Sequence, residues 1–283
     1  MTDVQCVGVV GAGTMGSGIA QVCAAAGLDV VLLDVSEAAL ERGVAAIAAS
    51  LDKRVQKGAL SAQEKQATLQ RLQTTIRYED LARVQIAIET ATEQPQLKFE
   101  LLRRMESALP SHALIGSNTS SISITQLAAA LREPSHLVGL HFFNPVPAMA
   151  LVEVIRGLQT SEDAYDRAMV FARALGKTPI PVANRPGFVV NRILIPMVNE
   201  AIFAVQERLG SVDDIDTAMQ IGGGHPIGPL RLADVVGLDV VLAVMEVLQG
   251  SFGDNKYRPA FLLREMVQAG LLGRKTGQGF YKY

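Results

Sequence analysis

A chain of 283 residues, 49% apolar and 19% charged, has the composition of a soluble globular protein, with material for two domains or one large one. A formal net charge of −2 and the lack of any Lys/Arg block exclude an electrostatic footprint for nucleic acid. Two cysteines, Cys6 and Cys23, make no disulfide framework, and the scattered histidines have no metal-ligand spacing, so reduced thiols, no metal and a cytoplasmic setting are expected.

Residues 4–28 carry no charge, which invites a signal peptide or a membrane anchor. The first charge is Asp3, with no basic cluster before it, and Gly8, Gly11, Gly13, Gly16 and Gly18 are too many for a comfortable span. No Arg-rich leader is visible either, and Glu200, Asp239 and Glu246 interrupt the other long apolar stretches, so no membrane partner is expected. In chain order, "QCVGVVG" predicts a short strand, "MGSGIAQVCAAAG" a helix ending at Gly27, and "DVVLLD" a second buried strand. The amphipathic "SEAALERGVAAIAASLDKRVQKGAL" predicts a helix capped by Ser36, and the polar "SAQEKQATLQRLQTTI" a second helix, again with Ser at its start. Then come a strand in "VQIAIET", a helix in "KFELLRRMESAL", a strand in "ALIGSN" and a helix in "ITQLAAALR". "HLVGLHFF" and "ALVEVI" read as strands joined by the turn "NPVPAM". Alternating strands and helices imply an α/β fold, with a mostly parallel sheet covered on both faces.

Beyond "ANRPGF" the texture turns helical, in "GFVVNRILIPMVNEAIFAVQERLG", "SVDDIDTAMQIG", "GPLRLADVVGLDVVLAVMEVLQ" and "PAFLLREMVQAGLLG". Ser211 and Asp214 form a capping pair. A boundary is expected near residues 184–186, giving an α/β domain over 1–184, with a helical arm at about 36–77, and an all-helical domain over 185–283.

The first strand runs into Gly11, Gly13 and Gly16, with Thr14 and Met15 opening the helix that follows. In such a loop the first glycine makes the tight turn, the second lets backbone approach a pyrophosphate, and the third lets helix and strand pack closely. The helix N-terminus supplies N–H donors and a positive dipole end to the phosphate. Asp34 closes the second strand, about 20 residues on, where a carboxylate binds ribose hydroxyls and repels a 2′-phosphate. A Rossmann-type dinucleotide site that prefers NAD is the expectation. Hydride transfer from an alcohol also needs a base, most often a His. His112 and His136 lie in polar loop contexts and His225 in a turn, whereas His141 ends a buried strand. Glu153, set in "LVEVI", is costly there without a partner, and a strand–turn–strand can bring it beside the imidazole.

Together "GAGTMGSGIAQ", "SNTSSISIT", "HFFNPVPAMALVEVI", "NRPGFVVNRI", "HPIGPLRLAD" and "GRKTGQGFYKY" resemble the L-3-hydroxyacyl-CoA dehydrogenase family, in order and over essentially the whole chain. The resemblance is nearest to its short bacterial members acting on 3-hydroxybutyryl-CoA. It implies that His141 is the catalytic base, Glu153 its orienting partner, Ser120 a contact to the reacting oxygen and the nicotinamide, and Asn191 a substrate contact. It further implies Glu93, Lys98, Asn144 and Lys275 as cofactor contacts, Ser50 and Lys57 on the arm as coenzyme A contacts, and a homodimer formed through the helical domain. Three departures, Gln94, Ala150 and Arg185, leave the catalytic groups in place but bear on acyl-chain preference. Two alternatives stand at this point: a dehydrogenase of a free hydroxy or sugar acid on the same architecture, and a non-enzymatic NAD-binding protein.

Overall fold

Cys6–Val10, buried throughout, forms β1 at the heart of the computed structural model, which describes residues 4–283. After it come α1 (Thr14–Ala25), β2 (Asp29–Leu33), α2 (Glu37–Gln56), α3 (Ala62–Gln70), β3 (Leu72–Thr75), β4 (Ile86–Glu89), α4 (Pro95–Ala108) and β5 (Leu114–Ser117). Next are α5 (Ile124–Ala128), β6 (Leu137–Phe142), β7 (Leu151–Arg156), α6 (Glu162–Ala174) and β8 (Thr178–Ala183). The strands form one sheet in the order β3-β2-β1-β4-β5-β6-β7-β8. All neighbours are parallel except β6 and β7, which run antiparallel because residues 143–150 are too few for a crossover. Strands β4, β5 and β6 are wholly buried, as a sheet covered on both faces requires. Val7, Val9, Leu32, Ile88 and Leu140 are among the residues that make its core. The order reverses at β1, whose two neighbours are β2 and β4, so a crevice opens outside the carboxyl ends of those strands.

Several elements differ from expectation. The second arm helix stops at Gln70, and Leu72–Thr75 instead pairs with Val30–Leu33 as the edge strand β3, where sheet pairing wins over local helical composition. The helix expected through "ITQLAAALR" shortens to α5. Ser36 makes no side-chain cap, whereas Ser61 and Glu64 form a reciprocal capping box on α3. Helix α6 and strand β8 extend the sheet beyond the elements read from the sequence. β8 carries Pro179 and Pro181, which only an edge strand tolerates.

The chain divides at Arg185 and Pro186 into two compact units. The second is all-helical, with α7 (Val190–Gln206), α8 (Val212–Ile221), α9 (Pro229–Val236), α10 (Leu238–Phe252) and α11 (Phe261–Gln268). Helical spacing places Ile195, Val198 and Ile202 of α7 with Leu238, Val241, Met245 and Leu248 of α10 in its core. The single helix expected from Gly228 to Gln249 is two, because Gly237 at φ +100° breaks it. Two buried carboxylates clasp the C-terminal segment. Asp216 accepts from the backbone N–H of Leu230 and Arg231 and from the Tyr281 hydroxyl at 2.9 Å. Asp234 accepts from the N–H of Phe280 and Tyr281 and from the Tyr283 hydroxyl at 3.1 Å. Burial, and then the Asp216 carboxylate, push the Tyr281 phenol far above its usual range, so it remains a donor.

Both cysteines are free and buried. Burial pushes the Cys23 thiol up to about 12, and Cys6 is also raised, mainly by burial. The thiolate is the reactive form, so at pH 8 neither should react with a disulfide reagent in the folded protein, and both should react in denaturant. Rapid modification of the native protein would contradict this packing.

Candidate active site

The glycine loop shows a separate physical reason at each glycine. Gly11 has φ +108°, and a Cβ there would lie 2.9 Å from Thr90 Oγ1. A Cβ on Gly16 would lie 1.7 Å from the Gly11 carbonyl oxygen, so only glycine lets α1 start this close to the loop. At Gly13 a Cβ would meet no heavy atom within 4 Å, so nothing in the protein crowds that side of the loop. Gly13 is also the N-cap of α1, and no side chain caps the helix. The first-turn N–H groups, with Thr14 and Met15 among their owners, are thus left for an anion. Asp34, half-buried just after β2, accepts from Ala12 N–H at 2.7 Å through Oδ2 and from Val35 N–H at 2.7 Å through Oδ1. Those bonds hold the carboxylate against the loop while leaving acceptor capacity on both oxygens. Thr90 braces the other side, its hydroxyl 3.0 Å from the carbonyl oxygens of Val10 and Gly11. The cradle fits a dinucleotide: an open glycine face, an uncapped helix N-terminus and a carboxylate at the ribose position.

Across the sheet, the ends of β4, β5 and β6 are tied together. Glu93 accepts from the Ser120 N–H at 2.7 Å, the Thr119 hydroxyl at 2.7 Å and the Ser120 hydroxyl at 3.1 Å. Two residues expected at the cofactor, Glu93 and Ser120, therefore meet. Lys98 is buried, and its ammonium bonds to Glu89 at 2.6 and 2.8 Å. Asn118 Oδ1 accepts from Phe142 N–H at 2.9 Å, which pins the end of β6. Asn144 follows, exposed.

His141 and Glu153 are directly opposed in the β6–β7 register. His141 Nδ1 lies 2.6 Å from Glu153 Oε2; the His is 6% exposed and the Glu 0%. An ionised Glu153 accepts from Nδ1–H, which assigns the remaining lone pair to Nε2. The imidazole lies beside the Phe143 ring, with centroids 4.6 Å apart. That is the arrangement of a base held in one tautomer, with a carboxylate to stabilise the imidazolium.

The remaining expected residues lie elsewhere. Ser50 is half-buried on α2, and Lys57 is exposed at that helix's C-cap, two turns on and on the same face. In the second unit Asn191 is half-buried at the start of α7, and Lys275 lies 2.6 Å from Asp239 Oδ2. Glu89, Thr90, Asn118 and Thr119 also bond to the strand ends and loops here, and the sequence alone did not single them out. For Glu89 the signal existed: a charge inside the apolar "VQIAIET", the same cue that exposed Glu153.

A dinucleotide cradle and a buried His–Glu pair, at the carboxyl ends of β1, β2 and β6 in one sheet, define a nicotinamide-dependent dehydrogenase. Comparison with known proteins makes the class specific. Residues 6–185 match the 3-hydroxyacyl-CoA dehydrogenase NAD binding domain and residues 187–283 the 3-hydroxyacyl-CoA dehydrogenase C-terminal domain. The chain belongs to the 3-hydroxyacyl-CoA dehydrogenase family. It is 49% identical to a probable 3-hydroxybutyryl-CoA dehydrogenase of Deinococcus radiodurans, over 98% of this chain and 99% of that one. It is 47% identical to a 3-hydroxybutyryl-CoA dehydrogenase of Bradyrhizobium diazoefficiens, over 98% and 94%. Among solved structures, the (S)-3-hydroxybutyryl-CoA dehydrogenase of Ralstonia eutropha superposes with a TM-score of 0.96 at 53% identity, covering 99% of each chain. Among the described residues no helix is long and apolar enough to cross a membrane.

A carboxylate at the position of Asp34 is the group expected to repel a 2′-phosphate. Asp34→Ala should lower the preference for NADH over NADPH by about tenfold or more, read as the ratio of their dissociation constants. An unchanged ratio would refute the assignment.

Proposed function

We propose that the chain is an (S)-3-hydroxyacyl-CoA dehydrogenase that interconverts 3-hydroxybutyryl-CoA and acetoacetyl-CoA with NAD. The observation that carries this is the 2.6 Å contact between His141 and the fully buried Glu153, on the same sheet as the glycine cradle. Names of relatives aligned along the whole chain support the butyryl thioester. When bound, NAD supplies acceptance or return of the hydride at substrate C3. In oxidation, His141 Nε2 takes the proton of the 3-hydroxyl, while Glu153 holds Nδ1–H and stabilises the positive ring. In reduction the same imidazolium returns that proton. Ser120 Oγ contacts the reacting oxygen; in the second unit, taken by itself, Asn191 offers an amide of the kind that donates to a carbonyl oxygen. Gly11, Gly13, Thr14, Met15, Gly16 and Asp34 hold the dinucleotide, with Glu93, Lys98 and Asn144 completing its contacts in this unit; Lys275, in the second unit, rests on the family resemblance. Ser50 and Lys57, on one face of the arm, receive the coenzyme A portion, where a Lys suits a phosphate-rich ligand. Two buried free thiols support a reducing, cytoplasmic compartment.

The test compares NADH oxidation with acetoacetyl-CoA, free acetoacetate and a longer 3-oxoacyl-CoA, using NADPH as control. Turnover with acetoacetyl-CoA and NADH, and none with the free acid, is expected. Activity confined to the free acid would overturn the thioester reading; preference for the longer thioester would overturn the butyryl assignment. In the same assay His141→Gln should fold, bind NADH and lose about 10²–10⁴ in rate. Full turnover in that variant would remove His141 as the base.

We further propose a homodimer through the helical unit, supported by the exposure of Ile193, Leu209, Ile221 and Phe261 on it. Light scattering should give twice the chain mass; a monomer mass would refute it.

A further inference from the structure

Glu89 takes no part in hydride or proton transfer, yet both its oxygens are fully engaged at the end of β4. Oε1 accepts from Ala91 N–H and from Lys98 at 2.8 Å each; Oε2 accepts from Lys98 at 2.6 Å and from the Ser117 hydroxyl at 2.8 Å. Glu89 is 0% exposed and Lys98 1%. A buried ion pair gains little stability over an apolar pair of the same shape, because removing both charges from water offsets their attraction. Stability alone is therefore a weak reason for this one. An ammonium has three donors, and Glu89 occupies at most two of them. No other described residue accepts from Lys98 Nζ. A buried donor left over is costly unless something else meets it.

Its neighbourhood indicates what does. Lys98 lies in the first turn of α4, just beyond Glu93, which grips Ser120. Thr90, the residue after Glu89, braces the glycine loop.

We propose that Glu89 is a positioning residue for the cofactor. It holds the Lys98 ammonium in the interior with one N–H left for a neutral oxygen of the bound dinucleotide. The acceptor is a hydroxyl or carbonyl rather than a phosphate, because the Glu–Lys pair carries no net charge. The phosphates fall to the N-terminus of α1. This inference rests on the reading of Lys98 as a cofactor contact.

NADH dissociation constants from fluorescence titration, with thermal melts of the ligand-free protein, test it on Glu89→Gln, Lys98→Met and the double variant. All three should bind NADH about tenfold more weakly or worse, equally at low and high salt, since a neutral acceptor is not screened. The double variant, an uncharged pair of similar shape, should regain the melting temperature lost by the single variants without regaining NADH affinity. Recovery of both together would make the pair purely structural and overturn the proposal. Normal affinity in Glu89→Gln beside weakened Lys98→Met would overturn the positioning role and leave Lys98 as a contact. Normal affinity in Lys98→Met would overturn both. Should Glu89→Gln not fold, Ser117→Ala removes one tether and should weaken NADH roughly two- to fivefold; unchanged affinity there would also overturn it.

Discussion

Glu153 is a carboxylate inside a β-strand with no exposure to water, and the chemistry proposed for this protein depends on how that charge is accommodated. Leaving such a group unpaired by removing its partner costs about 3–5 kcal/mol. The fold's answer is local and directional. The sheet is parallel from β3 to β6 and then reverses, so that β7 lies antiparallel on β6 and sets Glu153 directly across from His141. The imidazole thereby satisfies the carboxylate, and the carboxylate orients the imidazole. Asn118, from the end of β5, holds the adjoining Phe142 backbone, so His141 sits on a strand end braced from two directions.

The same device recurs along the sheet. Glu89 at the end of β4 and Asp34 just beyond β2 are further carboxylates given defined partners, and each of these two accepts from at least one backbone N–H at the sheet's carboxyl edge. In each case the acidic group ties neighbouring segments together at the sheet's end or across paired strands. The second unit uses the device for architecture instead, with Asp216 and Asp234 binding its C-terminal segment to α8 and α9. A Cβ on Gly228 would come within 2.2 Å of the Asp216 carboxyl carbon, and one on Gly279 within 2.0 Å of Asp234 Oδ1. Those contacts explain why "HPIGP" and "GQGF" are glycine-bearing segments rather than ordinary loops.

Much of this was legible in the residues themselves. Alternating apolar strands and helices gave the α/β architecture, and glycine spacing followed by Asp34 gave the cofactor. A lone Glu in "LVEVI" led to His141 because a buried charge demands a partner. Other features were not legible, for identifiable reasons. β3 is polar and sits where helical composition continues, so only its pairing with β2 makes it a strand. Ser36 has the right residue type for a cap but makes no cap bond, since capping depends on a side-chain rotamer that sequence does not encode. The Glu89–Lys98 pair spans a loop, and the carboxylate that engages Lys98 is Glu89 rather than the nearer Glu93, which is committed to Ser120. Fold and cofactor class are carried by periodicity and spacing; the assignment of partners among nearby charges is carried only by three-dimensional packing.

The antiparallel register of β6 and β7 also makes the active site a matter of parity. Successive strand residues point to opposite faces, so sliding β7 by one position would send Glu153 through the sheet, away from the imidazole. The connection at residues 143–150 is held by contacts of its own as well, with Val146 buried in the core and the Val146 and Met149 carbonyls accepting from Lys177 Nζ. A folding intermediate with all eight strands formed but this ladder out of step would look native by secondary structure and leave His141 without its carboxylate. Homologous chains should therefore hardly diverge in the distance, counted along the ladder, from His141 to Glu153.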